Sequence, residues 1–162
     1  MLAAVLAFAV AGCGSADPRP TPSLGPPPVA VPTSLDCPPA ADRGLPPGRV
    51  SGPGPLVPRG AISARLCSDT PTPAPDYRFS NVVLTRGVEN LVERLNNLER
   101  YDPQRICPKD GGTGYVLVLG YPDGQRVEVL IGGGGCNDVR AGDQTRYDPR
   151  STVITEFAKL AG

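Results

Sequence analysis

The sequence predicts an α+β domain: a small antiparallel sheet with two helices on one face, held by two disulfides and preceded by a disordered proline-rich tether. Three observations support this prediction. Segments rich in β-forming residues flank a Pro-Asp-Gly turn at 122–124, which indicates a β-hairpin. Two other segments repeat apolar residues at helical spacing. Apart from Cys13, four cysteines form an even set.

The prolines divide the chain into two parts. Seventeen of the 21 prolines lie at or before Pro75, and each fixes φ and removes a backbone hydrogen-bond donor. We therefore assign residues 13–57 to a tether, which this composition keeps extended. Residues 58–162 form the predicted domain, with Cys37 tied back to it.

The predicted domain begins with a strand at 61–67, where apolar and polar residues alternate. A short extended piece falls within 77–84. Thr85 then caps a helix whose apolar stripe has the i, i+3, i+4, i+7 spacing. This stripe consists of Val88, Leu91, Val92, Leu95 and Leu98.

Two hairpins and a helix complete the predicted domain. The strands at 115–121 and 126–131 form the first hairpin, with Val127, Val129 and Ile131 facing the core. Residues 137–140 and 144–147 form the second. The last predicted helix begins at 148–149, with Asp148 as the N-cap and Pro149 in the first turn. The tetrapeptide Arg-Tyr-Asp-Pro occurs at 100–103 and 146–149, and we interpret it as a chance recurrence at element boundaries.

Cys37, Cys67, Cys107 and Cys136 allow three pairings. The separations of 30 and 29 positions favour sequential pairing, Cys37 with Cys67 and Cys107 with Cys136. The alternatives are a zinc site or a catalytic thiol. The chain has no Cys-x-x-C motif and no histidine, which argues against both.

Composition argues against several classes of function. The net charge is zero and tryptophan is absent, so we expect no nucleic-acid partner. The lack of histidine removes histidine-based triads and metal ligands. The glycine runs at 111–114 and 132–135 lack the Lys-Ser/Thr of a phosphate loop. We therefore predict a protein that is not an enzyme and that uses no cofactor or metal.

The N-terminal residues predict where the protein is located. Residues 2–10 are apolar, too short to span a bilayer as a helix and typical of a secretion signal. The following Val10-Ala11-Gly12-Cys13 resembles the lipobox of bacterial lipoproteins. The resemblance implies a signal peptide at 1–12, lipidation of Cys13 and a location on the outer face of the cell membrane. The alternative is an ordinary secretion signal.

The chain as a whole resembles small uncharacterised lipoproteins of high-GC Gram-positive bacteria. The features that carry this resemblance are the lipobox, the tether and the segments ISARLC, LVERLNNL and YVLVLGYPDG. The resemblance brings no known activity. The function we expect is a membrane-anchored, extracytoplasmic lipoprotein with a non-catalytic domain that binds an envelope protein or polymer.

The order of cysteines and elements is similar to the secreted Streptomyces subtilisin inhibitor family. This resemblance implies sequential disulfides and a reactive loop that starts at a Cys-Pro. Carried over, the loop comprises Cys107, Pro108, Lys109 and Asp110, with Lys109 entering the protease pocket. Residues 111–114 depart from the family pattern because they are glycine-rich. Protease inhibition is therefore the alternative function.

Overall fold

A computed structural model of the chain describes residues 35–39, 52–68, 82–108 and 114–162. The predicted signal peptide, Cys13 and most of the predicted tether lie outside these ranges. Two residues of the predicted inhibitor loop, Lys109 and Asp110, also lie outside them, as does most of the extended piece expected at 77–84.

Seven strands of the described residues form one antiparallel sheet, which confirms the α+β class. The strands are β1 Ser63–Ser68, β2 Val83–Leu84, β3 Glu99–Arg100, β4 Tyr115–Gly120, β5 Arg126–Ile131, β6 Asp138–Ala141 and β7 Gln144–Tyr147. Their spatial order in the sheet is β2-β1-β4-β5-β6-β7-β3. The long central strands β4 and β5 are the predicted hairpin, in register from Tyr115 opposite Ile131 to Gly120 opposite Arg126.

Two helices, α1 Val88–Asn96 and α2 Thr152–Ala161, pack on the same face of the sheet. Their apolar stripes enter one core with alternate residues of the strands, because side chains of a strand alternate between faces. Val129 and Ile131 are buried in this core and Val127 packs against it, as predicted.

Both helices begin later than predicted. Gly87, in a left-handed conformation, precedes α1, and no side chain caps the helix there, so the predicted Thr85 cap is wrong. Helix α2 begins at Thr152, four residues after Asp148. Asp148 still serves the helix, because its carboxylate accepts hydrogen bonds from the backbone N–H groups of Thr152 and Val153 at 2.7 and 2.8 Å.

The predicted boundary of the tether at residue 57 is wrong, because residues 52–57 pack against the domain. Leu56 and Val57 are buried in the helix-side core. The Asn96 amide accepts a hydrogen bond from Val57 N and donates one to Val57 O, at 2.9 and 3.0 Å. The Arg146 guanidinium donates to the carbonyls of Gly52 and Gly54. The glycine- and proline-rich composition of residues 52–57 is typical of a linker and gives no sign of these long-range contacts.

Both disulfides have the predicted sequential pairing. Cys37–Cys67 and Cys107–Cys136 join Cα atoms 5.7 and 5.2 Å apart. The first bridge holds residues 35–39, which we name the strap, against the face of the sheet opposite the helices. Leu35 of the strap lies there in a second apolar cluster with Val116 and Val118.

Candidate functional site

The segment that follows β3, residues 101–108, lies against the buried ring of Tyr147; we name this segment the anchored loop. The Tyr147 hydroxyl donates a hydrogen bond to the Asp102 carbonyl at 3.0 Å. The Tyr101 ring centroid lies 5.4 Å from the Tyr147 centroid. The Arg105 guanidinium stands over the Tyr147 ring at 4.9 Å, a distance suited to a cation–π contact. One buried tyrosine thus positions three residues of the loop.

Polar contacts fix the shape of the loop. Arg105 donates to the Glu99 carboxylate at 2.6 Å, and this hydrogen bond raises the pKa of the Arg105 guanidinium. The Asp102 carboxylate accepts the backbone N–H of Gln104 at 2.9 Å, and the Arg105 N–H donates to the Asp102 carbonyl. Such Asp-initiated turns are stable local structures. The loop therefore turns at residues 102–105 before it reaches Cys107.

The far end of the loop is fixed covalently by the Cys107–Cys136 bridge. Beside it, Gly135 adopts a left-handed conformation with φ of 65°. A Cβ atom built on Gly135 would lie 3.1 Å from the Pro108 carbonyl and 3.8 Å from Cys107 Cβ. A side chain at residue 135 would therefore be strained by the left-handed backbone and would push the Pro108 carbonyl away by a few tenths of an ångström.

Between its two attachments the loop exposes an isoleucine. Ile106 is 94% exposed, whereas the next most exposed large apolar side chain of the described residues, Val83, is 46% exposed. Exposed and half-buried residues alternate from 104 to 108, as in an extended segment. The loop turns Arg105 and Cys107 inward and presents Gln104, Ile106 and Pro108 to solvent. Single exposed apolar side chains are common on protein surfaces, so the feature that distinguishes Ile106 is the anchored loop that presents it, since binding residues are often carried by loops on a rigid scaffold.

The structure brings together the two Arg-Tyr-Asp-Pro tetrapeptides. Arg100 pairs with Arg146 across β3 and β7, and the two tyrosine rings are in contact. Burial, and next the nearby positive charge of Arg100, lower the pKa of Arg146. We interpreted the recurrence as chance, but the two copies are neighbours that build the base of the loop. The recurrence of the tetrapeptide is the signal in the sequence that points to this contact.

Among the other polar residues that the structure describes, Arg140 is buried and donates to Asp138 at 2.7 Å. Arg140 Nε and the hydroxyl groups of Ser63 and Thr145 are buried without a hydrogen-bond partner in this part of the chain. Two open depressions of about 350 and 460 Å³ lie along the outer surface of α1. Both depressions are lined mainly by charged and amide side chains, chiefly Glu93, Asn97, Arg59 and Lys159. These lining residues do not place a nucleophile beside a general base.

Within the described ranges, no group of three or more His, Cys, Asp or Glu side chains is arranged to hold a metal ion. No helix among these residues has the length and apolar character needed to cross a membrane. Comparisons with protein-family models, with curated proteins and with solved structures find no match to this chain.

Replacing Gly135 with alanine should loosen the anchored loop, because the new methyl group meets the Pro108 carbonyl at 3.1 Å. Gly142→Ala is the matched control: φ is 56° there, and nothing lies within 4 Å of the added Cβ. Both changes carry about 1 kcal/mol of left-handed strain. Amide hydrogen exchange should rise across residues 101–108 only in Gly135→Ala. Equal exchange in the two variants would show that residue 135 does not shape the loop.

Proposed function

We propose that this protein is an exported lipoprotein, anchored through Cys13, whose domain binds a partner in the cell envelope without catalysing a reaction. The lipobox-like Val10-Ala11-Gly12-Cys13 supports the anchor, and the two disulfides suit an oxidising compartment outside the cytoplasm. Diacyl modification would give a stable membrane anchor. The tether between Cys13 and the strap would carry the domain away from the membrane surface.

The anchor is tested with Cys13→Ala in a bacterial host that lipidates proteins. The parent chain should fractionate with the membrane and gain the mass of a lipid, because the thiol of Cys13 accepts the diacylglyceryl group. The variant should lose both the membrane association and the added lipid mass, while the Cys107–Cys136 bridge remains intact. If the parent chain were found in the medium without the mass of a lipid, the N-terminal segment would be an ordinary secretion signal and the proposed anchor would be wrong.

The observation that carries the binding function is the anchored loop, with Ile106 at its most exposed point. A loop that is ordered before binding loses little conformational entropy on association. The covalent bridge, the Tyr147 contacts and the Arg105–Glu99 ion pair supply that order on three sides of Ile106. The chemistry of the loop fits a protein partner with an apolar pocket for a branched aliphatic side chain.

Ile106→Asp tests this function, with Val83→Asp as the matched control. Val83 is the other large apolar side chain exposed in the described residues, and β2 lies at the opposite edge of the sheet from β3. A buried isoleucine contributes about 2 kcal/mol, so Ile106→Asp should weaken partner binding by at least about 30-fold. Affinity is measured with solubilised envelope proteins on the immobilised chain. If both variants retained the envelope partner equally, the anchored loop would not be part of the binding interface.

Protease inhibition is a second candidate, and one observation favours it. Ile106 and Pro108 are exposed on either side of the half-buried, bridged Cys107, and this segment leads directly to Lys109, as a substrate-like loop requires. The chain should then inhibit a trypsin-like protease, and Lys109→Ala should abolish inhibition while Lys159→Ala leaves it unchanged. Rapid cleavage of the parent chain after Lys109, without inhibition, would end this candidate and leave the binding function standing.

A further inference from the structure

Two arginines face each other at the edge of the sheet formed by β3. Arg100 of β3 lies directly opposite Arg146 of β7, so the two side chains project from the same face. Arg146 is 3% exposed, whereas Arg100 is exposed to solvent. Like charges in directly opposed positions of neighbouring strands repel each other. A second basic residue beside a buried guanidinium is therefore unfavourable for the stability of the fold.

The other arginines of the described strands have acidic partners. Three ion pairs satisfy them: Arg65 with Asp36, Arg126 with Glu128 and Arg140 with Asp138. Within the described ranges, no carboxylate forms an ion pair with Arg100 or Arg146. The pKa of Arg146 reflects this imbalance, because burial and then the charge of Arg100 lower it and no acidic group raises it. The two arginines thus form a region of uncompensated positive charge.

The two guanidinium groups differ in their hydrogen bonds. Arg146 donates to four neutral oxygens at 2.8 to 3.1 Å, those of the Thr145, Gly52 and Gly54 carbonyls and the Gln144 amide. These acceptors fix the side chain but leave its positive charge in place. The Arg100 side chain has no hydrogen bond to the part of the chain that the structure describes. Arg100 can therefore donate to an incoming anion, while Arg146 adds a fixed charge that burial protects from screening by salt.

The arginine pair adjoins the anchored loop. Arg100 is the last residue of β3, and the loop begins at the next residue. Six positions separate Arg100 from Ile106, so their Cα atoms are at most about 21 Å apart. A protein interface of standard size covers about 800 Å² on each partner, which is wide enough to include both side chains.

We propose that Arg100, supported by the charge of Arg146, is an anion subsite of the binding surface and takes a carboxylate of the partner protein. This subsite rests on the proposed binding function, which supplies a protein partner with a pocket for Ile106. A carboxylate can accept two parallel hydrogen bonds from one guanidinium, which favours it as the anion. The partner should therefore carry an aspartate or glutamate beside its apolar pocket.

A direct test uses an acidic peptide as the probe and does not require the partner. Hexaglutamate is titrated into the full chain while NMR follows the arginine side-chain Nε–H groups, with hexaglutamine as the uncharged control. The Arg100 signal should shift to saturation with hexaglutamate only, and the signal of Arg86, an exposed arginine before α1, should not follow it. Equal shifts at Arg100 and Arg86 would overturn the subsite. Tighter binding of inorganic phosphate than of hexaglutamate would contradict a carboxylate ligand.

Charge reversal at Arg100 separates binding from folding. Arg100→Glu places an acid opposite Arg146, so urea unfolding should show a variant at least as stable as the parent. The same variant should bind the envelope proteins retained by the parent at least about tenfold more weakly, because a like charge then faces the carboxylate. Arg86→Glu is the matched control, since it changes the net charge equally, and it should keep the parent affinity.

The outcomes distinguish the subsite from the binding function. If Ile106→Asp loses the partner and Arg100→Glu retains it, the subsite is wrong and the binding function stands. If both variants bind like the parent, both proposals are wrong. A variant Arg100→Glu that is less stable than the parent would show that the two arginines do not repel each other, and this result would also overturn the subsite.

Discussion

Replacing Asp148 with alanine should lower the free energy of unfolding by about 3 kcal/mol. The carboxylate is 1% exposed and accepts three hydrogen bonds, from Thr152 N, Thr152 Oγ1 and Val153 N, at 2.7 to 2.8 Å. Alanine removes the charge that faces the N-terminus of α2 and leaves buried N–H donors without an acceptor. Because α2 supplies Val153 and Phe157 to the core, the whole domain should be destabilised.

Urea unfolding measures this effect, and Asp123→Ala is the control. Asp123 also accepts one backbone N–H, from Gln125 at 3.0 Å, but it lies in the exposed turn of the first hairpin. Its replacement should cost less than about 1 kcal/mol. Asp148→Asn should fall between the two aspartate-to-alanine variants, because one carboxamide oxygen can still accept. If Asp148→Ala and Asp123→Ala were equally stable, the capping role of Asp148 would be refuted.

Raising the pH should destabilise the domain through Tyr121. Burial raises the pKa of this phenol from 10.0 to about 12, and its hydroxyl donates to the Pro58 carbonyl at 2.8 Å. The folded pKa lies above the unfolded one, so this contribution to stability is complete below pH 10 and is lost as the pH rises towards 12. A shift of this size corresponds to at most about 3 kcal/mol. The hydroxyl also joins the residue that follows β4 to Pro58, near the start of the domain.

Tyr121→Phe isolates this contribution, because the other titrating groups are common to both proteins. Between the unfolded and folded pKa values of Tyr121, the parent chain should lose more free energy of unfolding than the variant, by at most about 3 kcal/mol. The measurement is urea unfolding at a series of pH values, taken at equal ionic strength. Parallel pH profiles for the two proteins would mean that the phenol titrates normally and is not buried as described.

Local signals were sufficient for the main elements of the fold. The hairpin of β4 and β5 follows from β-forming segments on either side of residues 122–124, and its register follows from the short turn. The two helices follow from their apolar stripes, although their first turns were misplaced. The disulfide pairing followed from spacing, since both bridges close loops of similar length. Each of these features is encoded within about 30 consecutive residues.

Features that depend on distant contacts were missed. Strand β3 has two residues, too few for any periodicity, and exists because Glu99 and Arg100 pair with β7. The composition of residues 52–57 predicts a tether. The contacts that fold this segment come from residues far along the chain, Asn96 and Arg146, so the local sequence does not reveal them. The same limit applies to the anchored loop: Cys107 and Pro108 were singled out in advance, but the support from Tyr147 and the exposure of Ile106 required the structure.

The most direct test of the binding function is photo-crosslinking in intact cells, with a photoreactive amino acid at position 106 and, in a second chain, at position 83. We predict one dominant crosslinked species of defined mass from position 106, absent from position 83, because Ile106 is the side chain that the ordered loop presents. Indistinguishable patterns of abundant envelope proteins from both positions would contradict the proposal that the loop is a specific binding surface.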